Sequence, residues 1–301
     1  MTKLSKFEFS GPPSTMSSPW TQPDTSRPIA IIGGGVLGRR LAMMWASTGR
    51  HAIICEKVPA VAKAALEYIR DNINQQAKKM GAAQPGLVTT TEHLQEAVKD
   101  AWMVIEAVPE VLDIKIPLFG DLDRLTRDDC ILATNSSSYK SREVISRVTK
   151  AYRVCNGHYY LPPDQNHLEL MTCGSTDPAI FPFLEEQAKS VGFIPIQARV
   201  ESTGFIFNRI WAAIKRESVL VMAEGVATPE DIDSLFRSNF HSEFAPCEMM
   251  DRVGLDTVYN IEAHYAAERG LPTLPLDWLK KEYLEKEHLG CKSGKGFLVG
   301  K

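Results

Sequence analysis

The stretch Ile29-Ala30-Ile31-Ile32-Gly33-Gly34-Gly35-Val36-Leu37-Gly38 predicts the architecture of the first two thirds of this 301-residue chain. It indicates an apolar strand, then a Gly-x-Gly-x-x-Gly turn, then a helix. Gly33 permits the tight turn, and Gly35, which has no side chain, lets a pyrophosphate approach the backbone. Gly38 lets the helix pack closely on the strand. This spacing predicts a unit that binds a dinucleotide.

The segments on either side of this helix specify the dinucleotide further. The N–H groups of Val36 and Leu37 lie at the positive end of the helix dipole, where phosphate binds. A second apolar strand, residues 52–55, ends in Glu56, 18 residues after the last glycine of the turn. A carboxylate at this position accepts hydrogen bonds from both ribose hydroxyls of an adenosine and repels a 2′-phosphate. The sequence therefore predicts NAD as the cofactor.

The composition is typical of a globular protein that does not bind nucleic acid. Hydrophobic residues make up 44% and charged residues 24% of the chain, and the formal net charge is −3. Basic residues are scattered, so no nucleic-acid partner is expected. The six cysteines are far apart and lack a C-x-x-C pair, which is typical of reduced cytosolic thiols and predicts no metal site. Apolar runs stay shorter than the ~20 residues of a membrane span. The N-terminal segment lacks the Arg-rich, acid-poor pattern of a transit peptide and the C-terminus lacks a peroxisomal address, so cytoplasm is the expected location.

Changes in pattern along the chain predict three regions. Residues 1–27, rich in Ser, Pro and Thr, are predicted to form a disordered N-terminal tail. Residues 28–201 alternate strand and helix patterns, which predicts an α/β Rossmann-like doubly wound parallel sheet. Strand patterns end there, so residues 202–301 are expected to form an all-α C-terminal domain. Within the sheet domain, Pro117 predicts that the helix over residues 114–125 begins close to that proline.

Two strand ends carry side chains suited to proton transfer and substrate binding. Ligands of an open parallel sheet bind beyond the carboxyl ends of its strands. Ser136-Ser137-Ser138 follows one strand, and His158 lies at the end of another. A histidine can take the proton of a substrate hydroxyl as hydride leaves for NAD, or return it in reverse. Glu169 is the candidate to orient that imidazole, and His167 is the alternative base.

Longer motifs along the chain occur in a characteristic order. They are Gly33 to Gly38, Asn135-Ser136-Ser137-Ser138, Gly157-His158-Tyr159-Tyr160-Leu161-Pro162, Gly204-Phe205-Ile206-Phe207-Asn208-Arg209, Glu224-Gly225-Val226-Ala227, Asp231-Ile232-Asp233, Met250-Asp251-Arg252-Val253-Gly254-Leu255-Asp256-Thr257 and Lys292-Ser293-Gly294-Lys295-Gly296-Phe297. Over about residues 28–298 the chain thereby resembles the 3-hydroxyacyl-CoA dehydrogenases. The wider family includes dehydrogenases of free hydroxy acids and the lambda-crystallins.

The resemblance implies an oxidoreductase of fatty-acid metabolism that interconverts a 3-hydroxyacyl and a 3-ketoacyl compound with NAD. It makes His158 the acid/base, Glu169 its orienting partner, and Ser137 and Asn208 substrate contacts. With the glycine turn, the cofactor-binding residues are Gly33, Gly35, Val36, Leu37, Gly38, Glu56, Glu110 and Lys115. The helical domain forms the dimer interface in this family, so a homodimer is implied, with an acyl-CoA or a hydroxy acid as the small-molecule partner.

Departures from the family pattern leave the substrate open. Leu161 replaces the Asn of the family's His-Phe-Phe-Asn-Pro motif, and the stretch that follows is one residue shorter. The segment between Glu56 and Glu106 is also shorter than in members that act on acyl-CoA, where it carries a helical hairpin. One alternative is therefore a dehydrogenase of a free 3-hydroxy acid or a specialised metabolite. Further alternatives are a nucleotide-binding protein without redox turnover, and an elimination or rearrangement on the same scaffold.

Overall fold

The computed structural model describes residues 19–300, and the chain divides into two compact units, Met1–Glu201 and Ser202–Lys301. The elements of the first unit are β1 (Ile29–Ile32), α1 (Val36–Ala46), β2 (Ala52–Cys55), α2 (Pro59–Lys79), β3 (Val88–Thr91), α3 (Leu94–Val98), β4 (Met103–Glu106), α4 (Leu112–Leu125), β5 (Ile131–Thr134), β6 (Val154–Tyr159), β7 (His167–Thr172), α5 (Ile180–Lys189) and β8 (Ile194–Ala198). The second unit contains α6 (Phe207–Ala223), α7 (Pro229–Phe240), α8 (Pro246–Val253), α9 (Leu255–Arg269) and α10 (Leu274–Glu282).

The first unit is built on an eight-stranded sheet in the order β3-β2-β1-β4-β5-β6-β7-β8. The chain moves outward from β1 to β3 and then returns to the other side of β1 with β4, so the strand order reverses beside β1. Helices cover both faces and bury apolar strands such as β1 completely. The Rossmann-like prediction is confirmed, and the crevice at a reversal of strand order is where such sheets bind ligands.

The prediction of a fully parallel sheet is wrong at one strand. β7 runs antiparallel to β6, whereas the other neighbouring pairs are parallel. The connection over residues 160–166 contains no helix, so it is too short for the crossover that a parallel pair requires, and the two strands form a hairpin. The register places His158 directly opposite Glu169.

The helix α4 begins at Leu112, five residues before Pro117, so the prediction that it starts near this proline is wrong. Its first turn is closed by hydrogen bonds from the N–H groups of Ile114 and Lys115 to the carbonyl of Val111. Proline removes one intrahelical hydrogen bond. The side chain of Lys115 is held in a buried ion pair, and this tertiary contact keeps the upstream turn helical.

The part of the predicted N-terminal tail that the structure describes is packed on the sheet domain. Trp20 is 6% exposed, its indole N–H donates to the carbonyl of Asp129 at 3.0 Å, and its ring meets Phe183 edge-on at 5.4 Å. The expectation of disorder is therefore wrong from residue 19 onward, because one buried aromatic side chain outweighs the polar composition around it. Residues 1–18 lie outside the described part of the chain.

The second unit has a hydrophobic core of its own, so the predicted helical C-terminal region is confirmed. The helix α7 begins with a capping box in which Thr228 and Asp231 each accept from the other's backbone N–H. The buried carboxylate of Asp251 accepts from the N–H groups of residues 297–299 and fastens the C-terminal segment to α8. Within residues 19–300, no helix combines the length and apolar character that crossing a membrane requires.

Candidate active site

The glycine turn between β1 and α1 is closed by contacts that leave no room for side chains. Gly33 has a φ of +108°, and a Cβ there would lie 2.6 Å from the carbonyl oxygen of Ala107 on the neighbouring strand. A Cβ on Gly38 would lie 1.9 Å from the carbonyl oxygen of Gly33. Real Cβ atoms do not approach so closely, so the strand, turn and helix can pack in this way only with glycine at both positions.

At Gly35 the space beyond the backbone is open instead. A Cβ built there meets nothing within 4 Å, and a cavity of about 690 Å³ lies beside the turn. Gly35 is also the N-cap of α1, and no side chain caps this helix end. Backbone N–H groups of the first turn, at Val36 and Leu37, are therefore available to an anion. The wall includes apolar side chains from α2, α3 and α4, namely Val61, Leu94, Ile114 and Leu118, and the charged side chains of Lys57 and Asp121.

Glu56 lies at the edge of this cavity, and its carboxylate is fixed by the backbone. One oxygen accepts from the N–H of Gly34 at 2.8 Å, and the other accepts from the N–H of Val58 at 2.9 Å. A carboxylate has about four lone-pair positions, so half of its accepting capacity stays open. The cavity, the open backbone at Gly35 and this oriented carboxylate fit the phosphates, the adenine and the ribose of NAD.

A buried ammonium group connects the end of β4 to α4. The Nζ of Lys115 lies 2.7 Å from Glu106 and 3.1 Å from Glu110, and its side chain is 1% exposed. Glu106 is fully buried and also accepts from the hydroxyl of Thr134, at the end of the neighbouring strand β5, at 2.7 Å. The buried ammonium is thus paired, and Glu106 has further hydrogen-bond donors, as burial requires. Lys115 has no open side toward a ligand, which sequence reasoning did not anticipate.

Glu110 ties the serine loop, residues 135–138, to the same ammonium. It accepts from the hydroxyl of Ser136 and from the N–H of Ser138. Burial by itself would raise the pKa of Glu110, but the hydrogen bond from Ser136 and the charge of Lys115 outweigh burial, so the pKa lies below its ordinary value. Ser137 is exposed between these two anchored serines. Sequence reasoning missed the link, although β4 and β5 are neighbours and their ends must meet.

His158 and Glu169 face each other across the β6–β7 hairpin. The Nδ1 of His158 lies 3.1 Å from Glu169 Oε2, and the two residues are 7% and 2% exposed. Tyr160 donates its hydroxyl to the same oxygen, also at 3.1 Å, a contact that sequence reasoning missed. Burial and the charge of Glu169 raise the pKa of Tyr160, so its hydroxyl stays protonated. His167, the alternative base, is exposed at the start of β7.

Two family models together match nearly all of residues 28–300. The model of the 3-hydroxyacyl-CoA dehydrogenase NAD binding domain matches residues 28–201, and that of the 3-hydroxyacyl-CoA dehydrogenase C-terminal domain matches residues 204–300. The chain belongs to the 3-hydroxyacyl-CoA dehydrogenase family. It is an NAD-dependent oxidoreductase that acts on a CH–OH group.

This 3-hydroxyacyl-CoA dehydrogenase family member aligns with some relatives over nearly their whole length and with others over only a part. It is 29% identical over 277 residues to the 3-hydroxybutyryl-CoA dehydrogenase of Clostridioides difficile, covering 89% of this chain and 98% of that protein. It is 46% identical over 146 residues to the 3-hydroxyacyl-CoA dehydrogenase-like protein LAM1 of Cochliobolus heterostrophus. That alignment covers 48% of this chain and 31% of that protein. A solved diketoreductase structure, described as acting on dicarbonyl compounds, superposes with a TM-score of 0.73 at 28% identity, over 90% of this chain and 97% of that one.

The residues singled out in the sequence thus lie in distinct places. The first unit brings the glycine turn together with Glu56, and His158 together with Glu169. Asn208 is half-buried at the second position of α6 in the second unit. In this family member, the loop that carries Ser137 is held by Glu110, in the connection between β4 and α4.

Replacing Lys115 by Met should destabilise the chain by about 3–5 kcal/mol, because it leaves two carboxylates without their buried cation. Adding Glu106→Gln should recover much of this loss, since the amide oxygen can still accept from the N–H of Val108, as Glu106 does at 2.9 Å. Urea unfolding measures both changes. Lys63→Met is the control, because Lys63 is 79% exposed in a surface pair on α2 and should change stability little. A Lys115→Met variant as stable as this control would contradict the assigned role.

Proposed function

We propose that this 3-hydroxyacyl-CoA dehydrogenase family member interconverts 3-hydroxyacyl and 3-ketoacyl thioesters, with His158 as acid/base and Glu169 as its partner. The buried pair of His158 and Glu169, 3.1 Å apart near the carboxyl end of β6, carries this proposal. In a Rossmann-like sheet this edge is where the ligand binds. The family supports the same reaction, hydride transfer between the substrate carbon and NAD.

The geometry defines what each member of the pair does. The carboxylate of Glu169 accepts a hydrogen bond from Nδ1–H of His158, so in the neutral imidazole Nδ1 carries the proton and Nε2 keeps a lone pair. In oxidation, Nε2 takes the hydroxyl proton of the substrate while hydride leaves the same carbon and the C–O bond becomes C=O. NAD, when bound, supplies the hydride acceptor. Glu169 stabilises the imidazolium that forms, and the reverse reaction returns the proton to the carbonyl oxygen.

The cofactor is proposed to bind at the glycine turn. Gly33 and Gly38 shape the turn, Gly35 opens the backbone to the pyrophosphate, and Val36 and Leu37 offer N–H groups to it. The carboxylate of Glu56 is assigned to accept hydrogen bonds from the ribose hydroxyls at the lone pairs that the backbone leaves open. Of the two remaining candidates, Glu110 has a 36% exposed side chain and can meet a ligand, whereas Lys115 acts by holding Glu110 in place.

Two further residues are assigned to the substrate. Ser137 is exposed on a loop that Glu110 anchors on either side, which suits a hydroxyl that must meet the substrate oxygen in a fixed position. Asn208 near the start of α6 is assigned a contact to the same substrate, as the resemblance implies. We accordingly assign NAD binding to residues 28–201 and roles in substrate binding and dimerisation to residues 202–301.

A free 3-hydroxy acid or a specialised metabolite is the second candidate substrate, and two observations favour it. Between β2 and β3 the chain forms α2 and no second long helix, so the hairpin of acyl-CoA-dependent members is lacking here. Leu161, which replaces the family's Asn beside the catalytic strand, is 42% exposed and offers an apolar surface in place of an amide.

The experiment that separates the candidates follows NADH absorbance with acetoacetyl-CoA, longer 3-ketoacyl-CoAs, and free 3-hydroxy acids with NAD. NADH oxidation by thioesters supports the first candidate. Turnover of free acids alone moves the enzyme to the second. Silence throughout, with NAD binding shown by a thermal shift, would favour a nucleotide-binding protein without redox turnover, or an elimination or rearrangement.

His158→Ala should lower kcat by a factor of ~10²–10⁴ while the Kd for NAD stays unchanged, because the variant lacks only the proton carrier. Steady-state kinetics with the best substrate of the panel, together with NAD titration, measure both. His167→Ala is the matched control and should keep near-parental turnover, since His167 is exposed at the start of β7. If His167→Ala loses turnover while His158→Ala keeps it, His167 is the base.

Glu56→Ala should weaken NAD binding ~10- to 100-fold, because a carboxylate that accepts from a ligand hydroxyl contributes about 1.5–3 kcal/mol. The preference for NAD over NADP should fall at the same time, since the charge that repels a 2′-phosphate is gone. Calorimetric titration with each nucleotide measures the change. Glu67→Ala on α2 removes an exposed carboxylate and should leave both affinities unaltered. An unchanged NAD affinity in Glu56→Ala would remove Glu56 from the site.

We propose a homodimer formed through the helical unit. Large apolar side chains are exposed on and after α7: Leu235 at 63%, Phe240 at 67% and Phe244 at 50%. Monomers seldom expose such groups together, and a symmetric partner would cover them. We also place the protein in the cytoplasm, which the free state of all six cysteines supports.

Sedimentation equilibrium should give twice the mass of one chain, and Phe240→Glu should shift the equilibrium toward the monomer, because it would bury a charge against apolar groups. Leu87→Glu is the control, since Leu87 is 63% exposed but belongs to the sheet unit. A parent protein that sediments as a monomer at micromolar concentration, or a dimer that only Leu87→Glu disrupts, would exclude this interface.

A further inference from the structure

Tyr160 is a feature of this chain that the dehydrogenase mechanism does not require. It stands where the family motif His-Phe-Phe-Asn-Pro has its second Phe. Its hydroxyl donates to Glu169 Oε2 at 3.1 Å, the same oxygen that lies 3.1 Å from His158 Nδ1. Its ring also packs against the imidazole, with centroids 5.1 Å apart. The catalytic carboxylate therefore has two donors on one oxygen.

Two donors on one carboxylate oxygen compete for its negative charge. A hydrogen bond to the ionised form of a carboxylate stabilises that form and spreads its charge onto the donor. Glu169 then stabilises a neighbouring imidazolium less than a carboxylate with a single donor.

We infer that Tyr160 is a positioning residue. Its hydroxyl holds Glu169 in place and lowers the proton affinity of His158, so that His158 stays a neutral base down to a lower pH than it would beside a phenylalanine. This inference rests on the proposed role of His158 as the acid/base. The effect acts through Glu169, because the Tyr160 hydroxyl donates to this carboxylate. The oxidative direction gains most, since it requires the neutral imidazole.

Beside His158 and Glu169, the hairpin places the titratable side chains of Tyr160 and His167. Glu169 lies on β7 and Tyr160 follows β6. His167 at the start of β7 has its ring 6.0 Å from that of Tyr160. The hydroxyl of Tyr160 remains protonated near neutral pH, since burial and the charge of Glu169 raise its pKa. The pH response must therefore be separated from that of His167.

The test is the pH profile of kcat/KM for oxidation at saturating NAD, comparing the parent with Tyr160→Phe. We expect the ascending limb of the variant to move to higher pH by about half a unit to one unit, with the plateau at high pH nearly unchanged. The descending limb of the reductive reaction should move in the same direction. An unmoved midpoint, or a loss of rate at every pH without displacement, overturns the inference.

Two control variants distinguish this effect from general disturbance. Tyr159→Phe removes a hydroxyl from the preceding residue, whose ring packs on Phe193 and which points to the opposite face of β6. It should leave the limb in place. The same holds for His167→Gln, which removes the second imidazole. If either control moves the limb as far as Tyr160→Phe does, the inference fails.

A measurement without turnover keeps this inference separate from the proposed function. The pKa of His158, followed by NMR of the labelled imidazole and assigned with His158→Ala, should rise in Tyr160→Phe by the same half unit to about one unit. In a Glu169→Gln background, Tyr160→Phe should produce no further rise, because the carboxylate that mediates it is absent. If the substrate panel is silent but these shifts are found, the proposed reaction fails and the role of Tyr160 stands. If turnover is found but the pKa shifts are not, the proposed reaction stands and the role of Tyr160 fails.

Discussion

A buried charge must be compensated within the protein, and the ammonium of Lys115 imposes this constraint on the centre of the sheet unit. It contacts Glu106 at the end of β4 and Glu110 before α4. Glu110 in turn accepts from Ser136 and Ser138 after β5. One cation thus sets the start of a helix and the position of the serine loop. The loss of the ammonium would leave two carboxylates without their cation in a medium of low dielectric constant.

The proposed catalytic pair depends on a different constraint, the register of an antiparallel hairpin. Side chains directly opposite each other on antiparallel strands are neighbours, and β6 and β7 place His158 opposite Glu169. The pairing is therefore set by backbone hydrogen bonds rather than by the two side chains themselves. Tyr160 follows immediately after β6 and reaches the same carboxylate. The hairpin thus brings two hydrogen-bonding groups to one carboxylate oxygen.

The glycine turn and the hairpin have different roles in the sheet unit. The turn removes side chains so that backbone N–H groups and an oriented Glu56 can meet a cofactor. The hairpin adds buried side chains so that a proton can be carried at a defined atom. The helical unit has its own core and is closed by Asp251, whose carboxylate binds three backbone N–H groups. Its exposed apolar groups are the surface that we assign to a second copy of the chain.

Local spacing was enough to predict the strand–turn–helix unit, Glu56 and the Rossmann-like order, because these depend on residues close together in the chain. The pairing of His158 with Glu169 could be proposed from the same spacing, but the antiparallel strand that creates it could not. The packed Trp20, the helix that continues through Pro117, the Lys115 network and the Tyr160 contact became visible only in the tertiary structure. Their partners lie between 5 residues away (Lys115 and Glu110) and 163 residues away (Trp20 and Phe183) in the sequence. Their energies come from burial and charge compensation, which no local pattern of residues records.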